Sequence, residues 1–320
     1  MTSLEISILM PYKNAAPWIA DCLLSIQNQS FQDWEVIGVN DSSTDESEAI
    51  FLEFQERDSR FKTFKNQGNG IIPALDLAFA KSKGKLISRM DADDLMPEKR
   101  LEQMRNLMLS SEPKTVVTGL VNYFSDQQIS PGYLAYESWI NDVNLDGNQN
   151  QNIYRECVIA SPNWLTWKDN LKLVGGFGSL EYPEDYDLIL KWYKSKMSFK
   201  VVPEVTLLWR EHPSRTSRNS ENYAQSAFFK LKIETFLKTD YRKGPLVIWG
   251  KNPKSKLITA ILTSVGISFE NHLLGNYKLV EQMKNPQILV AVYPTKKERN
   301  RIQKYFKSIE LEEGIDWWWV

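Results

Sequence analysis

The first hundred residues alternate short apolar runs with longer amphipathic stretches, and the apolar runs end on polar or acidic residues. Ile6 to Met10 reads as a buried strand. Asn14 then stands before a helix carrying Pro17 early and Ile19, Cys22, Leu23 and Ile26 at helical spacing. Trp34 to Val39 is a second strand, and Ser43 with Glu46 matches a capping box opening the next helix. Phe61 to Phe64 is a third strand and Gly68-Asn69-Gly70 a turn; Ile71 to Ala80 is helical, and Lys85 to Met90 is a fourth strand delivering Asp91-Ala92-Asp93-Asp94. A β-α-β-α-β-α-β order predicts a mainly parallel sheet with right-handed crossovers and helices on both faces. Ligands of such sheets sit beyond the carboxyl ends of the strands, so Pro11-Tyr12, Asp41 and the acids at 91–94 should share one rim.

Beyond residue 110 the pattern loosens into a polar stretch, Asn141 to Asn152, and then Gly175-Gly176-Phe177. Helical periodicity returns at Tyr186 to Tyr193, a strand is expected over Phe199 to Val202, and a longer helix from about Asn219 to Lys238. Lys243-Gly244-Pro245 breaks the chain, which divides it into a domain over 1–243 and a small α/β domain over 244–320. In that tail the strands are Leu246 to Trp249, Ile288 to Tyr293 and Ile315 to Val320, and the helices Ser255 to Val265 and Lys296 to Ile309. Only Gly250 remains of a dinucleotide-binding glycine pattern, so a structural or oligomerisation role is expected there, including self-association of the chain.

Two domains suit 320 residues, and a net charge of −1 points away from nucleic acid as a partner. Cys22 and Cys157 cannot form a disulfide framework, which fits a reducing, cytoplasmic setting. Met1-Thr2-Ser3-Leu4-Glu5 lacks the basic start of a secretory signal, and no run reaches the roughly 18 apolar residues that span a bilayer. Peripheral contact with the inner membrane face is left open, because amphipathic anchoring leaves a weaker trace.

Asp91, Asp93 and Asp94 concentrate like charge, which a shared Mg²⁺ or Mn²⁺ would relieve; a solvated acidic turn is the competing reading. Asp41 could receive a hydrogen bond from a base or ribose, or support the turn that follows it. Glu184-Asp185 stands at or near a helix amino terminus, where macrodipole compensation explains a single acid. His212, in Arg210-Glu211-His212, is equally compatible with a surface residue. Trp164 and Trp167 suit core packing better than stacking on a sugar ring.

Taken together, Ser7 to Asn14, Val39 to Asp45, Ser88 to Asp94, Pro97 to Gln103, Gly175-Gly176-Phe177, Glu184 to Leu188 and Arg210-Glu211-His212-Pro213 resemble, in order, a family 2 glycosyltransferase of the GT-A fold. The resemblance covers about residues 4 to 220 and implies a Rossmann-like α/β domain that inverts the anomeric centre of a nucleotide diphosphate sugar, with UDP preferred, in surface polysaccharide or glycan biosynthesis. It implies that Pro11, Tyr12, Asn14, Asp41, Arg89 and Asp91 hold the donor. Asp93 and His212 would take Mn²⁺ or Mg²⁺, Asp185 would be the catalytic base, and Glu184 would lie beside it toward a glycan or lipid-linked sugar acceptor. A sugar-nucleotide nucleotidyltransferase and a non-catalytic nucleotide-sugar binder are the alternatives. The first would be expected to carry a glycine-rich, basic triphosphate loop, which Pro11-Tyr12-Lys13-Asn14 is not.

Overall fold

The computed structural model describes residues 4–272 and 278–320, except the side chains at 217, 278, 279 and 296. Met1, Thr2 and Ser3, part of the start read above, lie outside the described residues. Contacts divide the chain into two units, Met1–Gly147 with Ile159–Asn219, and Asn148–Val158 with Ser220–Val320. This division falls earlier than the break read at 243.

In the first unit the elements run β1 (Ile6–Tyr12), α1 (Ile19–Gln27), β2 (Trp34–Asn40), α2 (Ser47–Arg57), β3 (Phe61–Lys65), α3 (Ile71–Lys81) and β4 (Leu86–Arg89). There follow α4 (Arg100–Leu109), β5 (Thr115–Phe124), α5 (Pro131–Leu145), β6 (Trp164–Trp167), α6 (Lys168–Leu173), α7 (Glu184–Lys194), β7 (Ser198–Arg210) and α8 (Thr216–Asn219). They build one seven-stranded sheet ordered β3-β2-β1-β4-β6-β5-β7. β6 is antiparallel to both neighbours and the remaining pairs are parallel. Two successive reversals restore direction, so β5 and β7 point the same way as β1, β2 and β4. Their carboxyl ends therefore share one edge.

β1 and β2 are buried at every position because helices cover both faces. Along β1, Ile6, Ile8, Met10 and Tyr12 fall on one face and enter the same apolar cluster as Phe51 and Phe61. Tyr12 stacks on Phe51 with ring centroids 5.4 Å apart. Gly38 leaves room for that ring, since a Cβ there would lie 2.5 Å from it. On α1 the buried residues are Ile19, Cys22, Leu23 and Ile26, as the spacing predicts. The expected Ser43–Glu46 capping box does not form: α2 begins at Ser47, whose backbone N–H donates to Asp45 at 3.1 Å. Trp164 is buried, meeting Trp192 edge to face at 5.3 Å.

The second unit holds α9 (Gln225–Thr239), β8 (Leu246–Trp249), α10 (Pro253–Ser264), β9 (Glu270–His272), α11 (Lys278–Glu281), β10 (Gln287–Val290), α12 (Lys296–Ser308) and β11 (Trp317–Trp319). Its four strands are all parallel, in the order β11-β10-β8-β9. Trp317 and Trp319 enter its core with Trp249 and Phe306. Among the described residues, no helix is long and apolar enough to cross a membrane.

Candidate active site

The loops leaving β1 and β2 are laced together. Ala15 N–H donates to Ser47 Oγ at 2.8 Å, Ala16 N–H to Asp45 Oδ2 at 3.0 Å, and Thr44 N–H to Asn14 Oδ1 at 2.8 Å. Asn14 takes a left-handed backbone, φ 49°, and its side chain closes the loop rather than opening toward a ligand. Burial works to raise the proton affinity of Asp45, but the hydrogen bonds from Ser47 and Ala16 hold its carboxyl below the usual range. Tyr12 is likewise turned inward. Its hydroxyl meets Thr63 Oγ1 at 2.7 Å, and burial pushes the phenol up to about 12. Alternation along β1 commits that ring to the core.

Asp41 follows β2 and is buried at the rim. Its Oδ1 accepts from Asn66 Nδ2 at 2.6 Å and from Gly70 N–H at 3.0 Å, and Lys13 Nζ lies 3.7 Å from Oδ2. Asp41 thus braces the turn through Asn66 and Gly70 that leads into α3, whereas the turn following Asp41 is held by Ser43 N–H donating to Asn40 Oδ1 at 2.8 Å. Gly70 has φ +95°, and a Cβ there would come 2.8 Å from the Tyr182 hydroxyl. Gly70→Ala is expected to cost about 1–3 kcal/mol, measured by urea unfolding, because it adds backbone strain at a positive φ and crowds the Tyr182 hydroxyl.

Beyond β4 the acids separate in role. Arg89 is buried; its Nε donates to Asp91 Oδ1 at 2.7 Å and its Nη1 to Glu184 Oε1 at 3.1 Å, tying the turn after β4 to the first residue of α7. Burial alone would depress the guanidinium, and the charges of Asp91 and Glu184 more than reverse that. Burial raises the proton affinity of Asp91 despite Arg89. Asp93 Oδ2 lies 2.9 Å from His212 Nε2. Burial opposes ionisation of Asp93, yet the His212 hydrogen bond and the Arg215 charge keep its carboxyl below the usual range. Asp94 is turned into the core and accepts from Arg210 N–H at 2.8 Å. The three-carboxylate cation cluster expected of Asp91, Asp93 and Asp94 is thus corrected. Arg89 engages the first acid, His212 the second and backbone the third.

His212 follows β7 and so emerges on the edge that carries Asp93. Its ring stacks on Trp18 at 3.8 Å, and its Nδ1 lies 3.0 Å from Ser214 Oγ. Trp18 did not stand out in the sequence, although it lies within a few residues of a motif that did. The guanidinium groups of Arg215 and Arg218 are drawn to Glu211, Arg215 at 3.5 Å, and lie over the rings of Trp209 and Tyr133.

Asp185 occupies the first turn of α7, half-buried beside Glu184. Burial and the Glu184 charge push its carboxyl up to about 7, against the opposing pull of Arg89 and the Tyr186 N–H. Asp187, in the same turn, accepts instead from Glu181 N–H at 2.8 Å and pairs with Lys191. The rim thus combines one carboxylate kept ionised beside an imidazole, a buried arginine shared by two acids, and a carboxyl that titrates near neutrality.

The chain is similar to known proteins. Residues 7–172 match the family model described as glycosyl transferase family 2. An uncharacterized glycosyltransferase of Rickettsia typhi is 25% identical over 292 residues, 89% of this chain and 86% of that protein. A Rickettsia bellii glycosyltransferase is 30% identical over 158 residues, which is 49% of this chain but 22% of that protein's length. Among solved structures, Staphylococcus aureus TarS 1–349 in complex with UDP-GlcNAc superimposes with a TM-score of 0.57 at 15% identity, covering 81% of this chain and 71% of that one. The Pyrobaculum calidifontis mannosyltransferase PcManGT, in complex with GDP-Man and Mn²⁺, gives 0.54 at 17% identity, covering 82% and 68%. Such likeness at low identity bears on the fold, a GT-A architecture, while the family match spans more than half of the residues. The chain belongs to glycosyltransferase family 2.

Proposed function

We propose that this glycosyltransferase moves a sugar from a nucleotide diphosphate donor, UDP-linked by preference, to a hydroxyl of a glycan or lipid-linked acceptor, with inversion at the anomeric carbon. The observation that carries the reading is the Arg89 bridge. It joins Asp91, on the donor edge of the sheet, to Glu184, immediately before Asp185, whose carboxyl is raised to about 7. Pro11 and Asp41 border the donor end with the backbone around Asn14. Asp185 takes the proton of the acceptor hydroxyl as that oxygen bonds to the anomeric carbon, and the bonding pair of the old glycosidic bond leaves with the diphosphate. Glu184 stays on Arg89 and keeps a negative charge beside Asp185, which strengthens it as a base.

Mn²⁺ or Mg²⁺ suits the donor set of Asp93 and His212: one ionised carboxylate and one imidazole, 2.9 Å apart, leave most coordination to diphosphate and water oxygens. Among the described residues no three His, Cys, Asp or Glu side chains are arranged to hold a metal by themselves, which agrees with a cation that comes with its substrate. When bound there it would offset the charge growing on the leaving diphosphate. Chelation is expected to abolish transfer and added Mn²⁺ to restore it. The second unit, with its own sheet, takes a structural or self-association role in this reading.

The deciding experiment supplies α-linked nucleotide sugars in turn and reads the anomeric coupling of the product by NMR. A β-linked product is expected. Retention of configuration would overturn Asp185 as the base.

A further inference from the structure

We propose that Asp94 is a positioning residue, a clasp that fixes Asp93 against His212, rather than a metal ligand. Three contacts support it. Asp94, only 1% exposed, uses Oδ1 to accept the backbone N–H of Arg210 at 2.8 Å, joining parts of the chain 116 residues apart. Next to it, Leu95 and Leu208 exchange both backbone hydrogen bonds at 3.0 Å. Arg210 then returns its Nε to the carbonyl of Asp93 at 2.7 Å. The turn after β4 is thereby sewn to the end of β7, two residues before His212.

Within this seam Asp94 supplies the one side chain that accepts from the backbone of β7, so the position of His212 depends on an oxygen at that point. Its other oxygen, Oδ2, is buried without a hydrogen-bond partner, and the Nε of Arg100, a fully buried residue, is in the same condition. Arg100 otherwise donates to Ser88 Oγ at 3.3 Å and to the carbonyls of Arg89 and Pro162, holding the end of β4. Burial lowers the Arg100 guanidinium to about 10, and the charge of Asp94 works against that fall. Oδ1 is committed to the Arg210 amide, so a ligand role would fall to Oδ2, which is buried.

This inference rests on reading Asp93 and His212 as the metal side of the site, so the test carries a readout independent of metal. Amide hydrogen exchange at Arg210 and Glu211, whose N–H donates to the Phe124 carbonyl, is measured in the wild type, Asp94→Ala and Asp94→Asn, and Mn²⁺ binding with UDP present is measured by calorimetry in the same proteins and in Asp93→Asn. Asp94→Ala is expected to speed exchange at both amides by about tenfold or more and to weaken Mn²⁺ binding by a similar factor, because the acceptor oxygen is gone. Asp94→Asn keeps an acceptor oxygen, so its losses are expected to be much smaller than those of Asp93→Asn. Unchanged exchange in Asp94→Ala overturns the clasp, and so does an Asp94→Asn that loses Mn²⁺ as fully as Asp93→Asn. If Asp94→Ala does not fold, the comparison of Asp94→Asn with Asp93→Asn decides alone. A wild type that binds no Mn²⁺ would contradict the metal reading, and the exchange data would still decide the clasp.

Discussion

Replacing Asp185 with Asn is expected to lower sugar transfer by about 10²–10⁴-fold, the usual contribution of a positioned base, with donor affinity little changed. Calorimetry with the donor and a transfer assay on the same preparation separate the two effects. The wild type should also lose activity in acid. Its Asp185 carboxyl is pushed up to about 7, so below that pH it is protonated and cannot accept a proton, and kcat/KM should fall about tenfold per pH unit. Because Glu184 adjoins it, the midpoint belongs to the pair. Linkage gives an independent check. A carboxyl raised in the folded state favours folding less and less as pH climbs from its ordinary value of 3.8 to about 7. Asp185→Asn should therefore raise the Tm at pH 8 but scarcely at pH 4. An unchanged transfer rate would remove Asp185 from the reaction, and an unchanged Tm at pH 8 would remove the strained carboxylate.

Arg89→Met is expected to destabilise the protein by about 3–5 kcal/mol at neutral pH, the range for breaking a buried ion pair by removing one partner. Arg89 engages Asp91 at 2.7 Å and Glu184 at 3.1 Å, and both its own side chain and that of Glu184 are at most 5% exposed. Methionine preserves much of the volume but leaves two acids facing each other. Lys in its place should recover only part of the loss, since one ammonium cannot reproduce a fork aimed at two carboxylates. Urea unfolding at pH 7 and pH 5 tests the cause: protonation of the stranded acids should narrow the gap at the lower pH. Stability equal to wild type at both values would refute the bridge.

The sheet was legible where burial is symmetrical. β1, β2 and β4 are covered on both faces, so they appear as mainly apolar runs in spite of Ser7, Glu35 and Ser88, and the helices between them show their buried stripes. The other half was harder to read. β5 begins fully buried and ends half-exposed, β6 is four residues long, and β7 passes through Pro203-Glu204. That dipeptide made Val202 look like a strand end, whereas the pairing with β5 absorbs the interruption as shifts in register around Leu120.

At the rim, residue type was a better guide than orientation. Asp93 and His212 meet, and so do Asp91 and Glu184 through Arg89, although nothing in the spacing announces that a buried arginine joins the last two. Tyr12 could have been placed correctly by counting in twos from Ile6. The hold of Asn66 and Gly70 on Asp41 depends on a turn whose path no local pattern specifies.

The strand order also bears on synthesis. β5 lies between β6 and β7, so its outer edge is open until the ribosome has delivered residues 198–210. An arrested or nicked chain ending before residue 198 would carry ten residues, Thr115–Phe124, with unpaired backbone along one side. Such fragments should aggregate rather than persist as smaller folded enzymes, and translation of this gene should be most exposed to chaperone dependence in that interval.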